Sequence, residues 1–232
     1  MLELTTPERA VNQGRALSRP STRKPSTTAG RELGGSIECM GASMSFGRGV
    51  EIYGEGEPAE YFYKVLSGAV RTRKVLIDGR RQVGGFYLPG DVFGLEAGEN
   101  HAFTAEAITA CKVLVIKHSA IVARAKLDHA VAFELWLLSS NEVRRLQAHL
   151  LLLIKNAPER VAAFLLGLAE RASPGDSIEL PMSRQDIAEH LGLTVETVSR
   201  TISYLQSVGA IELSSVRRIV LQDRSALKRF DP

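Results

Sequence analysis

Cysteine is scarce in this chain of 232 residues: only Cys39 and Cys111 occur, far apart and outside any C-x-x-C spacing. A disulfide framework is thereby excluded. No run approaches the roughly 18 consecutive apolar residues that a membrane-spanning helix needs. The N-terminus also lacks the apolar core of a secretory signal, so the expected location is cytoplasmic, away from membranes. The five histidines, His101, His118, His129, His149 and His190, never pair at i, i+4, and none lies close to a cysteine. No metal site is therefore read, and surface or half-buried positions are expected for them. Catalytic signatures are missing too: there is no G-x-S-x-G, H-E-x-x-H or P-loop sequence. Gly54-Glu55-Gly56-Glu57-Pro58 lacks the third glycine and following helix of a dinucleotide fingerprint, and its carboxylates read as solvated loop residues. Antiparallel rolls can host metal-dependent catalysis, but this one has no histidine cluster, so the chain does not read as an enzyme.

Charge is not concentrated either. The net excess of +3 lies within residues 1–36, which hold six Lys/Arg against three Asp/Glu. Residues 155–232 hold ten of each sign. A nucleic-acid surface, if present, must come from arrangement rather than composition.

Arrangement is what the C-terminal third supplies. Pro181 to Arg200 reads as a short helix, a glycine turn at Gly192 and a second helix. Ser183 with Asp186 three residues on, and Thr194 before the next run, are helix-start signals. Ile187, Ala188 and Leu191 give the first helix an apolar face; Val198, Ile202 and Leu205 give the second one. The outer side of the second helix carries Glu196, Thr197, Ser199, Arg200 and Ser203. Arginine can fork onto guanine O6 and N7, and glutamate can accept from cytosine N4. A solvated helical hairpin would share much of this pattern, but the following residues argue otherwise. Gly209–Leu213 reads as a strand, Ser214–Arg218 as a tip and Ile219–Leu221 as a returning strand, with Ser177–Leu180 as a third. The expectation is a winged helix-turn-helix whose Arg217 and Arg218 touch backbone phosphates.

Upstream, residues 1–36 are rich in Ser, Thr, Pro, Arg and Gly and read as a flexible extension. Residues 37–117 alternate short apolar runs with glycine: Tyr61–Leu66, Ala69–Leu76, an Asp78-Gly79 hairpin, a turn at Leu88–Asp91 and Lys112–Ile116. Such spacing points to an antiparallel roll. Residues 118–157 read as a long helical region broken near Asp128-His129. Within it Ala132, Trp136, Ser139, Val143, Leu146, Leu150 and Leu153 recur at alternating steps of four and three, a seam for a two-stranded dimer. Packing of this stripe on its own roll is the alternative, but about 25 helical residues span ~38 Å, more than a small roll covers. Residues 158–232 form the last segment, opened by Pro158 and a helix over Glu159–Arg171. The class expected is α+β: an N-terminal antiparallel β-roll, a long dimerisation helix and a C-terminal winged helix-turn-helix.

In this order the parts resemble the CRP/FNR superfamily of bacterial transcription regulators over roughly residues 40–230. Tyr63–Val70, Gly90-Asp91-Val92-Phe93-Gly94 and Ser183–Ala188 are similar to family segments, and Glu196-Thr197-Val198-Ser199-Arg200 looks like the E-x-x-S-R head of the FNR and FixK branch. The resemblance implies that Glu196 and Arg200 read the C·G pair of a TTGAT-like half-site while Ser199 touches a neighbouring base. It also implies that Ser183, Arg184, Gln185, Thr194 and Thr197 hold phosphates. A homodimer, with Trp136, Val143, Leu146, Leu150 and Leu153 at its interface, would bind a palindromic site on double-stranded DNA. Recruitment of RNA polymerase, hence activation, is implied as well.

Departures from the family narrow the branch. Gly90-Asp91 stands where cyclic-AMP binders carry glycine-glutamate, Glu99–Phe103 replaces their arginine-serine segment, and no arginine lies between Arg81 and Arg124. Cyclic nucleotide binding is not expected. Two cysteines cannot hold a [4Fe–4S] cluster that wants four thiolates. No cofactor is expected, which resembles the FixK-type regulators, whose targets often serve low-oxygen respiration and nitrogen fixation. The alternative is an effector-dependent relative sensing another ligand or haem, for which His101 would be the first residue to check.

Overall fold

The computed structural model describes residues 35–96, 100–171 and 175–230. The extension read over 1–36 lies outside these up to residue 34, as does Glu99. A short helix α1 (Gly35–Glu38) ends the lead-in, two residues earlier than the boundary expected, and buries Ile37.

Eight strands form the roll as two four-stranded antiparallel sheets. One sheet runs in the order β1 (Ala42–Phe46), β8 (Cys111–Lys117), β3 (Tyr61–Ser67), β6 (Val92–Phe93). The other runs β2 (Glu51–Tyr53), β7 (Thr104–Ala107), β4 (Val70–Val75), β5 (Arg81–Tyr87). Val65, Val70, Val113 and Ala105 point inward by the strands' two-residue period and are fully buried among Tyr53, Tyr63, Tyr87 and Phe93. Cys111 is a small buried residue of this core and Cys39 is exposed.

Two cores flank the roll's own. Phe62, Leu114 and Ile116 pack outward on α2 (His118–Ala125) and the start of α3 (His129–Leu153) through Ile121 and Val131. The break between these helices falls where Asp128 caps α3, its carboxylate accepting from Ala130 N at 3.0 Å. Beyond its first turns α3 is mostly uncovered: Val131 and Glu134 are its only buried residues.

The C-terminal part folds around α4 (Ala157–Arg171), whose Val161, Phe164, Leu165 and Leu168 are buried. Onto it pack α5 (Arg184–Leu191), α6 (Val195–Ser207) and the short α7 (Arg224–Arg229). A three-stranded sheet in the order β10 (Ile211–Ser215), β11 (Arg218–Leu221), β9 (Ser177–Glu179) closes it. The strand read from Gly209 starts two residues later. Gly209 takes φ +71° and Ala210 N donates back to Leu205 O, so both residues finish the turn out of α6. Among the described residues no helix is long and apolar enough to cross a membrane. The class is α+β, as the residue patterns lead one to expect.

Candidate nucleic-acid interface

The helix-turn-helix is built from local hydrogen bonds. Ser183 Oγ accepts from Asp186 N at 3.1 Å, and Asp186 Oδ2 accepts from Ser183 N at 2.9 Å, a reciprocal capping box that satisfies two backbone donors. Gly192 ends α5 at φ +63°, ψ +40°, the left-handed region open to glycine at little steric cost. Thr194 then caps α6, its hydroxyl accepting from Thr197 N at 3.1 Å. These three devices set the angle at which α6 leaves the turn.

One face of α6 buries Val198, Ile202 and Leu205; the other leaves Glu196, Ser199, Arg200 and Ser203 exposed. The Glu196 carboxyl is held below its ordinary value by its own backbone N–H, then by the Thr194 hydroxyl and Arg200. It is therefore an ionised acceptor, the form that pairs with a base amino group. Arg200 has no ion pair among the described residues, leaving its fork available.

The phosphate candidates divide by how occupied they are. The hydroxyls of Ser183 and Thr194 serve the helix caps, and Thr197 Oγ1 lies 3.0 Å from Thr194 Oγ1. Gln185 is exposed, donating to Glu189 Oε1 at 2.8 Å. Arg184 is half-buried against the wing: Nη2 donates to Val216 O at 3.4 Å, Nη1 is buried without an acceptor, and burial lowers its pKa. Arg217 and Arg218 are exposed at the wing, whose tip shortens to Val216-Arg217 because β10 reaches Ser215 and β11 starts at Arg218. Ser215 Oγ accepts from both arginine N–H groups, at 3.3 and 3.0 Å, and holds that turn.

On α3, Trp136, Val143, Leu146, Leu150 and Leu153 lie along the exposed side, between 36% and 65% accessible. Ala132 is half-buried and Ser139 exposed on the same helix.

Two placements differ from expectation. His101 and His190 are buried, not at or near the surface. His101 stacks on Tyr53 with ring centroids 3.6 Å apart and has Nδ1 3.3 Å from Glu96 Oε2; a flat aromatic neighbour and one carboxylate satisfy it inside the roll. His190 lies 3.1 Å from Val83 O through Nδ1 and stacks on His149 of α3 at 4.2 Å. Burial, then the neighbouring His149, push its pKa down to about 3, so it is neutral.

A charged network that no sequence pattern announces joins the roll to the winged domain. Arg71 pairs with Asp186, the capping residue of α5, while Arg81 reaches Asp186 at 3.1 Å and Glu189 at 2.5 Å. Arg171 likewise pairs with Asp91 and donates to Phe86 O at 2.7 Å. The two-residue spacing of Arg71 and Arg73 on β4 marks a polar sheet face, but nothing local names their partners.

Residues 159–230 match the family described as Crp-like helix-turn-helix domain, and residues 43–126 match the cyclic nucleotide-binding domain family. The chain is 50% identical over 201 residues to the nitrogen fixation regulation protein FixK of Azorhizobium caulinodans, covering 84% of this chain and 81% of that protein. It is 44% identical to the FixK of Rhizobium meliloti, over 78% of this chain and 82% of the relative. The solved structure of FixK2 from Bradyrhizobium japonicum superposes with a TM-score of 0.79 at 48% identity, covering 83% of this chain and 98% of that one. Likeness at this level covers most of the chain, and the chain belongs to the CRP/FNR family of transcription regulators, in its FixK-like branch.

Proposed function

We propose that this regulator binds double-stranded DNA as a homodimer at an inverted repeat of TTGAT-like half-sites and acts in the cytoplasm as an activator that recruits RNA polymerase. The observation that carries this reading is the exposed Glu196, Ser199 and Arg200 on a helix whose opposite face is fixed in the core. Glu196 and Arg200 are the readers of one C·G pair, and Ser199 contacts its neighbour. Ser183, Arg184, Gln185, Thr194 and Thr197, with Arg217 and Arg218 on the wing, set the register on the phosphates. The uncovered stripe on α3 supports dimerisation through Trp136, Val143, Leu146, Leu150 and Leu153. By analogy with the FixK relatives, its target genes serve nitrogen fixation.

No effector is needed in this reading. The roll interior is filled by Tyr53, Tyr63, Tyr87 and Phe93, with ring centroids 5.1 to 6.1 Å apart. No arginine between Arg81 and Arg124 stands ready for a cyclic phosphate. Likeness to the cyclic nucleotide-binding family supports the fold, not its ligand.

Selection of bound duplexes from a random pool tests the proposal. An enriched two-fold repeat with unchanged affinity on adding cyclic AMP is expected; enrichment of unrelated single sites, or a cyclic-AMP requirement, would overturn it. Within that repeat, Arg200→Ala should cost about 1–3 kcal/mol at one base pair. Arg217→Ala or Arg218→Ala should instead weaken all sequences alike, lowering the salt slope by about one unit.

A further inference from the structure

Charges at the junction of roll and winged domain do not cancel. Arg71 and Arg73 donate to Glu106 at 2.8 Å each, and Arg71 and Arg81 engage Asp186 and Glu189. Three guanidinium groups thus meet three carboxylates. A cavity of about 360 Å³ opens beside them, walled by Arg71 and Arg81 and also by Arg48 from the β1–β2 turn and Arg217 from the wing tip. The guanidinium groups of Arg48 and Arg217 have no ion pair or hydrogen bond among the described residues, and both residues are exposed. Arg71 Nε is buried with no acceptor. Ser183 and Gln185, at the start of α5, and the carboxylates of Glu106 and Asp186, already paired with Arg71, Arg73 and Arg81, complete the polar wall.

The cavity therefore has two positive charges that no carboxylate of the described residues compensates. Water does not neutralise that charge. A carboxylate would neutralise one arginine and leave the other. An oxyanion with two charges and several acceptor oxygens matches both, and the planar arginine fork suits phosphate geometry. Like-signed groups converging on a partly enclosed cleft also concentrate such anions there.

We propose that this cavity is a phosphate-class oxyanion site shared by the roll and the winged domain. Arg48 and Arg217 supply the neutralising charge. Because the ligand touches both parts, its occupation stabilises the arrangement that holds them together. The phosphate can come from a free phosphorylated solute or from the DNA backbone outside the repeat, whose proposed contacts Gln185 and Arg217 border the cavity.

The experiment separates these sources, and its first arm contains no DNA, so it stands apart from the DNA reading. Thermal unfolding of the full chain is followed while inorganic phosphate or pyrophosphate replaces chloride at constant ionic strength. The key variant is Arg48→Ala, an exposed side chain without partners among the described residues, with circular dichroism to verify folding. A saturable rise in midpoint, with half-saturation shifted upward by roughly tenfold in Arg48→Ala and regained in part by Arg48→Lys, is the result for a free anion. In the second arm, gel shifts compare a duplex limited to the repeat with one extended by flanking base pairs. Loss of affinity by Arg48→Ala on the extended duplex alone, with phosphate competing there, assigns the site to the backbone. If the variant changes neither phosphate stabilisation nor binding of the extended duplex, the proposal fails.

Discussion

Helices α3 and α4 carry apolar stripes of similar regularity and meet opposite fates. On α4, Val161, Phe164, Leu165 and Leu168 are at most 7% exposed, pressed against α6, β9 and the strands of the wing. On α3, Trp136, Val143, Leu146 and Leu150 stay between 53% and 65% exposed, although their spacing is as regular. Periodicity records that a face is built for burial; it does not record whether the partner belongs to the same chain. The difference is one of reach. α4 is surrounded by elements within its own fold, whereas α3 runs past the roll and has none of the described residues covering its outer side. Past the apolar first turns, the inner side of α3 is polar instead: Glu142 binds Arg145 at 2.8 Å, Arg145 lies 4.0 Å over the Tyr87 ring of the roll, and His149 stacks on His190 of α5.

The sharpest way to break this contrast is to place a charge on each stripe. Leu146→Glu should leave the single chain folded, because the site is already half exposed, yet put two like charges across the proposed two-fold axis. Light scattering should report monomers, and affinity for the palindrome should fall by orders of magnitude once one half-site contact is lost. A variant that stays dimeric and binds normally would move the dimer axis elsewhere. Leu165→Ala is the counterpart on α4. Its side chain is fully buried, so urea unfolding should show a loss of about 2–5 kcal/mol. A small effect there would mean that α4's face is no more committed than that of α3.

Acid sharpens the comparison from the inner side of α3. The unfolded chain takes up a proton on His190 near its ordinary value of 6.5, while the folded chain resists protonation down to about 3. The His149 pKa is lowered as well, by burial and then by Arg145. The unfolded state therefore binds more protons in that window, and stability present above pH 6.5 drains away as pH falls toward 3. His190→Asn, which can still meet Val83 O, should flatten that decline when unfolding midpoints are compared at pH 7.5 and 5. Equal slopes for both proteins would place the acid sensitivity in other groups. The smallest effect is expected from Arg145→Ala, which removes the cation–π contact with Tyr87 and should cost about 0.5–2 kcal/mol.

How much was legible follows from the range of each interaction. The capping box of Ser183 and Asp186, the Gly192 turn and the Thr194 cap each act within four residues, so the helix-turn-helix could be read directly. Alternation along the strands likewise announced a roll. Asp186 shows the limit: as a capping residue it was evident, but its pairing with Arg71 spans 115 positions and left no local trace. The burial of His190 was hidden for the same reason, since Val83 O lies 107 positions away.

By itself, then, the order of residues determined the elements, their start and stop signals, and which faces are apolar, because these depend on backbone preferences and side-chain spacing over a few residues. Tertiary structure alone decided which apolar face is spent inside the chain and which is left over. It also decided that the roll's arginines meet α5, leaving Arg48 and Arg217 beside a cavity without a partner among the described residues. Those outcomes depend on distances between elements far apart in sequence, and a local pattern has no means of encoding them.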